Sequence, residues 1–277
     1  MLARLIVFLY SFISGKLGLR GGGWLVRHSL PYVPGLRAYE LPIPGVGTAI
    51  LDCQDDAVLT LLNFRRGKFG TDAQLLRQMG RFIRAGDVLW DVGANVGVIS
   101  AYFAQSPQRP SAIHAFEPNP LPLKPLQSLF RNSRFVTVHA LALGDQDGQI
   151  AMKIPRRSSC TGSLAMNLED AKLITVSVRR GDSLRQSLNL PPPDVLKVDV
   201  EGFEPQVFAG LARTISEKRP VIFFEHIWLS DEQVKSLIPG NYSLTFILDD
   251  GQLTADFTQR RKGHDAILIP QERDQTG

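Results

Sequence analysis

The chain has 277 residues, of which 44% are hydrophobic and 21% are charged, and this balance is typical of a globular protein. Its formal net charge is +4, and its lysines and arginines are scattered in short pairs rather than gathered in one long basic block. The charge pattern therefore argues against a nucleic-acid partner. The length suits one large α/β domain with an extension.

The two cysteines, Cys53 and Cys160, are far apart and form no C-x-x-C pair. This arrangement argues against both a zinc site and a disulfide framework. It fits a reducing compartment, so the expected location is cytoplasmic.

The first residues carry an apolar run, Leu5 to Ile13, after a single arginine. The run is too short for a membrane span, which takes about 20 residues, and no small-residue cleavage site follows it. We expect a helix that packs on the body of the protein. The alternative is an interfacial helix that gives peripheral membrane contact through residues 1–20.

Residues 38–53 alternate weakly and are rich in proline and glycine, which predicts short strands and turns. A helical region follows over residues 55–84, and Thr71 or Asp72 would cap its amphipathic second half. We therefore predict an N-terminal helical and hairpin extension, or cap, over residues 1–85, and a second domain over residues 86–277.

From Gly86 onward, apolar strands alternate with helices, which predicts a doubly wound, mostly parallel sheet of about seven strands. The predicted strands of this sheet are 88–92, 112–116, 135–143, 195–200, 221–225, 242–248 and 266–269. The predicted helices are 95–105, 120–132 (starting late, near Leu123), 179–188, 205–216 and 231–237. Such a sheet binds ligands at the carboxyl ends of its strands.

The stretch from Asp91 to Gly97, DVGANVG, follows the first of these strands and opens a helix. Its glycines permit a tight turn and a close backbone approach to a ligand. The G-x-x-x-G spacing differs from the G-x-G-x-x-G of a dinucleotide site, and no phosphate-binding Gly-Lys-Ser or Gly-Lys-Thr follows. An acidic residue before the turn suits a cationic ligand, and S-adenosylmethionine carries a sulfonium and an amino group.

Glu117 ends the second strand, 20 residues after Gly97, where a carboxylate can accept the ribose hydroxyls of a nucleoside. The third strand ends in LALGD, so Ala142 to Asp145 would lie where an adenine rests. Asp145 could accept from the exocyclic amine of the adenine, and it is equally plausible as a turn residue.

Lys197, Asp199 and Glu201 alternate along an otherwise apolar strand in VLKVDVEGFEP. Buried charges need partners or a purpose. Lys197 paired with a carboxylate would lock the strand. Asp199, at the carboxyl end, would face the methionine part of the cofactor, and both interpretations can hold together.

The ordered set VLWDVGANVGVIS, HAFEPNP, ALGD, LKVDVEGFEPQVFAG and RPVIFFE, between about Gly86 and His226, resembles the FkbM family of S-adenosylmethionine-dependent methyltransferases. The resemblance implies a class I, Rossmann-like methyltransferase fold and O-methylation of a hydroxyl on a sugar, glycan, glycolipid or natural product. The family often has an acidic residue after an aromatic one before the first helix. This chain has FGTD there, which puts the acceptor-side cap in doubt.

The resemblance also implies roles for matching residues: the turn would hold the methionine end of the cofactor, Glu117 the ribose, and Asp199 and Glu201 the junction with the acceptor. The predicted cofactor-binding residues are Asp91, Gly93, Ala94, Asn95, Gly97, Glu117, Pro118, Asn119, Leu143 and Asp199.

Methyl transfer to an alcohol benefits from a base, and histidine suits neutral pH. The predicted catalytic residues are His226, which follows the fifth strand, and Asp199 and Glu201. His264 would reach the same edge if its strand is antiparallel, whereas His114 and His139 lie inside strands and are expected to be structural. Asp199 and Glu201 could also ligate a divalent cation, but no further ligand set is evident, so no metal is predicted.

Two alternatives to the methyltransferase remain open. One is a nicotinamide-dependent oxidoreductase, for which the glycine spacing is wrong, and the other is a catalytically silent cofactor-binding protein. The polar loop from Arg156 to Asn167 either covers the acceptor or merely connects strands. The sequence leaves the oligomeric state open.

Overall fold

The computed structural model describes residues 2–3, 5–7, 32–53, 57–70, 72–155 and 171–274. Most of the N-terminal apolar run, Cys160 and the polar loop from Arg156 to Asn167 lie outside the described residues, so the predictions made for them remain predictions.

The strands of the described residues form three sheets. Their bounds are β1 Tyr39–Ile43, β2 Gly47–Leu51, β3 Val88–Val92, β4 Ala112–Phe116, β5 Val136–His139, β6 Ala142–Gly144, β7 Gly148–Pro155, β8 Ala171–Arg180, β9 Val195–Val198, β10 Val221–Glu225, β11 Tyr242–Ile247, β12 Leu253–Thr254 and β13 Asp265–Pro270.

The α-helices connect these strands or cover their faces. Their bounds are α1 Ala57–Arg65, α2 Asp72–Phe82, α3 Val98–Ala104, α4 Pro120–Phe130, α5 Gly181–Ser187, α6 Glu204–Gly210, α7 Ala212–Lys218, α8 Asp231–Ser236 and α9 Gln271–Asp274. Short 3₁₀ turns cover Pro34–Leu36 and Arg260–Lys262.

The main sheet has the order β12-β11-β13-β10-β9-β3-β4-β5. Its central strands β10, β9, β3, β4 and β5 are parallel, and β13 joins antiparallel to β10. Every residue of β3 is buried, as expected for a parallel strand covered on both faces. The predicted doubly wound sheet is confirmed, with the two-residue β12 added at one edge.

Two predicted helices begin at different residues in the structure. Helix α3 begins at Val98, because the preceding Gly93, Asn95 and Gly97 have positive φ angles of 76°, 50° and 88°. Helix α4 begins as early as Pro120, because proline is tolerated in a first helical turn and the Asn119 side chain accepts a hydrogen bond from the Leu121 N–H.

Two other predicted elements are each divided in the structure. The predicted strand 135–143 is split between β5 of the main sheet and β6 of a three-stranded sheet ordered β6-β8-β7. The predicted helix 205–216 is broken at Leu211, which separates α6 from α7.

The N-terminal hairpin of β1 and β2 packs against α4. The Ile50 N–H donates to Ser128 Oγ at 2.8 Å, and a Cβ on Gly47 would lie 2.1 Å from the Leu129 carbonyl oxygen. The buried residues Ile6 and Val7 belong to the hydrophobic core that covers this face of the main sheet. This core crosses the boundary predicted between residues 85 and 86, and the two-domain division remains a prediction. None of the helices in the described ranges is both long and apolar enough to cross a membrane.

Candidate active site

A cleft opens at the carboxyl ends of β3, β4 and β9, where the topology of the sheet predicts a ligand site. Most of the predicted site residues line it together. They are Gly93, Ala94, Asn95, Glu117, Pro118, Asn119, Leu143, Asp199 and Glu201.

The turn after β3 is held very close to the end of β9. A Cβ on Gly93 would lie 1.8 Å from the Asp199 carbonyl oxygen, and the residue has a φ of 76°, so only glycine fits there. The N–H groups of Gly93 and Ala94 both donate to the Phe116 carbonyl, at 3.0 and 2.9 Å. The turn is therefore a rigid wall of the cleft.

Gly97 has a different role from the one predicted. It does not line the cleft formed by the described residues, and a Cβ there would lie 2.5 Å from Leu126 Cδ1 and 2.9 Å from Phe130 Cε2. Because glycine has no side chain, α3 can pack closely against α4 at this point. Gly97 therefore supports the turn without lining the cleft.

Asp91 is fully buried behind the turn rather than on the wall of the cleft. One carboxylate oxygen accepts from Ser100 Oγ at 2.7 Å, and the other lies 3.2 Å from Lys197 Nζ. The cofactor contact predicted for Asp91 is thus replaced by a supporting position, one layer below the ligand surface.

Lys197 connects the two strands that frame the cleft. Its Nζ donates to the Gly93 carbonyl at 2.8 Å and lies 3.5 Å from Asp199 Oδ2 as well as beside Asp91. Burial acts to lower the pKa of Lys197, but the two aspartates outweigh it and raise that pKa. The ion pair that locks the strand is present, and Asp199 still lines the cleft.

Glu117 is a buried carboxylate held by the backbone on both sides. Its Oε2 accepts from the Asn95 N–H and its Oε1 from the Asn119 N–H, each at 2.8 Å. Burial raises its pKa to about 7, although these two hydrogen bonds act to lower it. Each oxygen keeps a second lone pair, so Glu117 can still accept hydrogen bonds from a diol.

The walls beyond Glu117 are mainly apolar and suit a flat aromatic ring. They are formed by Phe116, Pro118, Leu141, Leu143, Met152 and Phe203. Asp145 is exposed and lies outside this lining.

Past Asp199 the cleft becomes acidic. The carboxylates of Asp199, Glu201 and Glu225 come within 4.8 Å of one another. Asp72 and Asp265 line the same region, together with Lys68 and His264. We call this region the acceptor end of the cleft.

Crowding of carboxylates at the acceptor end changes their acidity. Burial, and then Asp199, raise the pKa of Glu201 to about 7, against the lowering effects of Trp228 and Lys197. Burial is also the largest cause of the raised pKa values of Asp265, to about 8, and of Asp72, to about 6. The pKa of Glu225 is raised by burial and by Asp199 and Glu201.

His226 is fully buried and does not reach the wall of the cleft. Its Nδ1 lies 3.2 Å from Arg260 Nη1, and burial and Arg260 lower its pKa to about 4. A base must touch the proton that it takes, so this position does not suit the predicted catalytic role. Glu225, one residue earlier on β10, lines the cleft instead, because successive side chains of a strand point to opposite faces.

The other histidines lie as expected. Strand β13 is antiparallel to β10, and His264, just before it, lines the acceptor end. His114 and His139 contact each other through Nδ1 and Nε2 at 3.1 Å, away from the cleft.

Several lining residues come from segments that the motifs do not mark. Thr60 on α1 and Asp72 and Leu75 on α2 face the cleft from before the predicted domain boundary. Asp72 is the aspartate of the FGTD stretch, residues 69–72. An acidic residue is therefore present on the side of the cleft where the sequence left one in doubt, and it lines the acceptor end. The sequence signal that could have identified Asp72 is its position at the start of an amphipathic helix, α2.

This chain is similar to a known domain family and to known methyltransferases. The sequence pattern of the methyltransferase FkbM domain matches residues 91–249. Hexuronic acid methyltransferase AglP from Haloferax volcanii is 27% identical over 189 residues, which are 68% of this chain and 72% of that protein. Methyltransferase 1 from Beauveria bassiana is 33% identical over 143 residues, 44% of this chain and 57% of that protein. The crystal structure of methyltransferase FkbM from Methylobacillus flagellatus aligns with a TM-score of 0.47 and 16% identity, over 89% of this chain and 60% of that one.

The matched range 91–249 is more than half of the 277 residues and includes the turn after β3, Glu117, and the segment from Asp199 to Glu204. This match decides against the nicotinamide-dependent oxidoreductase considered above. The chain therefore belongs to the FkbM family of methyltransferases.

Proposed function

We propose that this methyltransferase uses S-adenosylmethionine to methylate a hydroxyl group of a sugar. The proposal rests on the change in the chemistry of the lining residues from one end of the cleft to the other. A rigid turn, a buried glutamate that can still accept hydrogen bonds, and apolar walls lead to a carboxylate, Glu201, whose pKa is raised to about 7.

The end of the cleft formed by the turn after β3, Glu117 and the apolar walls, which we call the cofactor end, fits S-adenosylmethionine. Glu117 offers free lone pairs to the ribose hydroxyls, and Pro118, Leu143 and Phe203 offer apolar surface to the adenine. Asp199 and Asp72 supply negative charge for the amino and sulfonium groups. When bound, the cofactor supplies a methyl group on a cationic sulfur that is ready for displacement.

Glu201 is our candidate for the base. The acceptor oxygen would form its bond to the methyl carbon as the carbon–sulfur bond breaks and leaves its electron pair on sulfur. The hydroxyl proton would pass to the Glu201 carboxylate. A carboxyl group with a pKa of about 7 is ionised at slightly alkaline pH and still basic enough to take a proton, so the rate should fall as pH drops below 7.

The acceptor end favours a neutral acceptor over an anionic one. Among the described residues, five carboxyl groups line it, against the basic side chains Lys68, Lys197 and His264. Burial and the neighbouring carboxylates raise the pKa of four of these carboxyl groups, so further negative charge is disfavoured there. A negatively charged sugar would be repelled there. The relative AglP is named for hexuronic acid, so sugars are the class of acceptor to test first.

Two measurements test the proposal. Calorimetry should show binding of S-adenosylmethionine and no binding of NADH. Incubation with a panel of neutral methyl pyranosides and methyl glucuronide should release S-adenosylhomocysteine, faster with a neutral sugar. Binding without release from any sugar would overturn the proposal and favour a catalytically silent cofactor-binding protein.

A further inference from the structure

Glu204 is an acidic residue of the VDVEGFEP stretch to which the proposed mechanism gives no role. It opens helix α6, it is 0% exposed, and it does not line the cleft formed by the described residues. Burying a carboxylate is costly unless it is hydrogen-bonded. The bonds that Glu204 makes are therefore the place to look for its role.

Glu204 holds the turn that carries Glu201. The N–H groups of Val200 and Gly202 donate to Glu204 Oε1 at 3.0 and 3.4 Å. The Phe203 N–H donates to the Val200 carbonyl at 3.4 Å, which closes a β-turn over these four residues. Val200, Glu201 and Phe203 line the cleft. One buried carboxylate oxygen thus ties together a turn that forms part of the wall.

Glu201 has an uncommon backbone conformation in this turn. Its φ is 55°, and Gly202 follows with a φ of 95°. Glycine adopts a positive φ readily, whereas the left-handed region is costly for most other residues, and turns of this kind favour Gly, Asn and Asp. Such a conformation persists only where the surroundings determine it, and the bonds to Glu204 supply that support. In this conformation the Glu201 carboxylate comes within 4.8 Å of those of Asp199 and Glu225.

We propose that Glu204 is a positioning residue for methyl transfer: it holds the turn after β9 in the conformation that points the Glu201 carboxylate into the acceptor end. It acts through the backbone and touches neither the acceptor nor the cofactor. A carboxylate suits the task, because one oxygen can accept two N–H groups and a charged acceptor binds them more strongly than a neutral one. The inference rests on the proposed function, in which Glu201 takes the hydroxyl proton.

Three substitutions separate the acceptor oxygen of Glu204 from the volume of its side chain. Glu204→Met fills a similar space and removes the acceptor. Glu204→Gln keeps an oxygen at the same reach. Glu204→Asp keeps the charge but sets it back by one methylene, and it serves as the second variant if Glu204→Met does not fold. Glu217→Met is the matched control, because Glu217 is an exposed residue of the next helix, α7, and lies outside the cleft.

Turnover at saturating cofactor and acceptor should follow the acceptor oxygen rather than the volume. In Glu204→Met and Glu204→Asp, kcat should fall about 10- to 100-fold, because a base displaced by about 1 Å no longer meets the hydroxyl. In Glu204→Gln the loss should stay below about fivefold, because the oxygen is kept. Glu217→Met should keep the kcat of the wild type. An equal loss in Glu204→Gln and Glu204→Met would overturn the inference.

The sharpest test adds Glu204→Met to Glu201→Gln. If Glu204 acts through Glu201, no base remains to be misplaced, and the double variant should stay within about threefold of Glu201→Gln alone. A merely structural role would lower kcat by the same factor in both backgrounds, and that result would overturn the inference. An unaltered kcat in Glu201→Gln alone would instead overturn the proposed function.

Hydrogen exchange at the Val200 and Gly202 amides, followed by NMR, gives a readout that needs no turnover. Both amides should exchange about tenfold faster or more in Glu204→Met than in the wild type, and at the wild-type rate in Glu217→Met. Equal exchange in all three proteins would overturn the inference. Faster exchange in Glu204→Met, together with a wild type that binds S-adenosylmethionine but never releases S-adenosylhomocysteine, would overturn the proposed function and leave the support of the turn by Glu204 standing.

Discussion

Glu117 and Glu201 face the same cleft, and both have a pKa raised to about 7, yet their surroundings differ. Glu117 receives backbone N–H groups on both oxygens, so it is fixed in place as a hydrogen-bond acceptor. Glu201 stands beside the carboxylates of Asp199 and Glu225. The pKa of Glu117 is therefore raised by burial in a rigid, largely apolar surrounding, and the pKa of Glu201 by burial among other carboxylates.

This contrast predicts that substitutions at the two ends affect different quantities. Changes at Glu117 should alter cofactor affinity, and changes at Glu201 should alter turnover. The predictions below run from the largest expected effect to the smallest.

Glu201→Gln should lower kcat by about 10²- to 10⁴-fold, because it removes the group that takes the hydroxyl proton. The Kd of S-adenosylmethionine, measured by calorimetry, should change by less than about threefold, since the cofactor end is untouched. Glu217→Gln, at an exposed ion pair with Arg213, is the matched control and should keep full activity. An unaltered kcat in Glu201→Gln would exclude Glu201 as the base.

Gly93→Ala should destabilise the protein by about 3 kcal/mol or more, because its Cβ would overlap the Asp199 carbonyl in a left-handed conformation. Gly86→Ala isolates the conformational part, since Gly86 has a φ of +95° with nothing within 4 Å of its Cβ, and should cost about 1–2 kcal/mol. Urea unfolding measures both. Equal losses in the two variants would mean that the turn after β3 tolerates a side chain.

Glu117→Gln should raise the Kd of S-adenosylhomocysteine about 10- to 100-fold, because the new amide would point a donor at a backbone N–H and lose a charged acceptor. Turnover at saturating cofactor should stay within a few-fold of wild type. A lower kcat with unaltered cofactor affinity would reverse the roles that we assign to the two glutamates.

A chelator should leave activity unchanged, because a carboxylate base needs no cation to take a proton. The test matters because Asp199, Glu201 and Glu225 are close enough together to share a divalent ion. Loss of turnover with EDTA, restored by Mg²⁺, would show that the acceptor end works with a metal.

The cofactor end was largely predictable from sequence, because its parts lie in short contiguous motifs directly after strands. Gly93, Asn95, Glu117 and Asp199 were all predicted for the site, and all line the cleft. Their spacing along the chain follows from the parallel topology, which brings consecutive strand ends to one edge.

The acceptor end was much less predictable, because it combines distant segments. Asp72 belongs to a helix before the sheet, and Asp265 to a late antiparallel strand. The position of His226 after a strand indicates that it lies at the edge of the sheet, but not in which direction its side chain points. The structure turns it toward Arg260 and leaves Glu225 facing the cleft.

The most direct test of the account is to follow a ¹³C-labelled methyl group from S-adenosylmethionine into sugars by NMR. We expect a labelled methyl ether on a neutral pyranose, formed in equal amount with S-adenosylhomocysteine and at a strongly reduced rate with Glu201→Gln. A labelled methyl ester of glucuronide as the sole product, or no transfer by a protein that binds the cofactor, would contradict it.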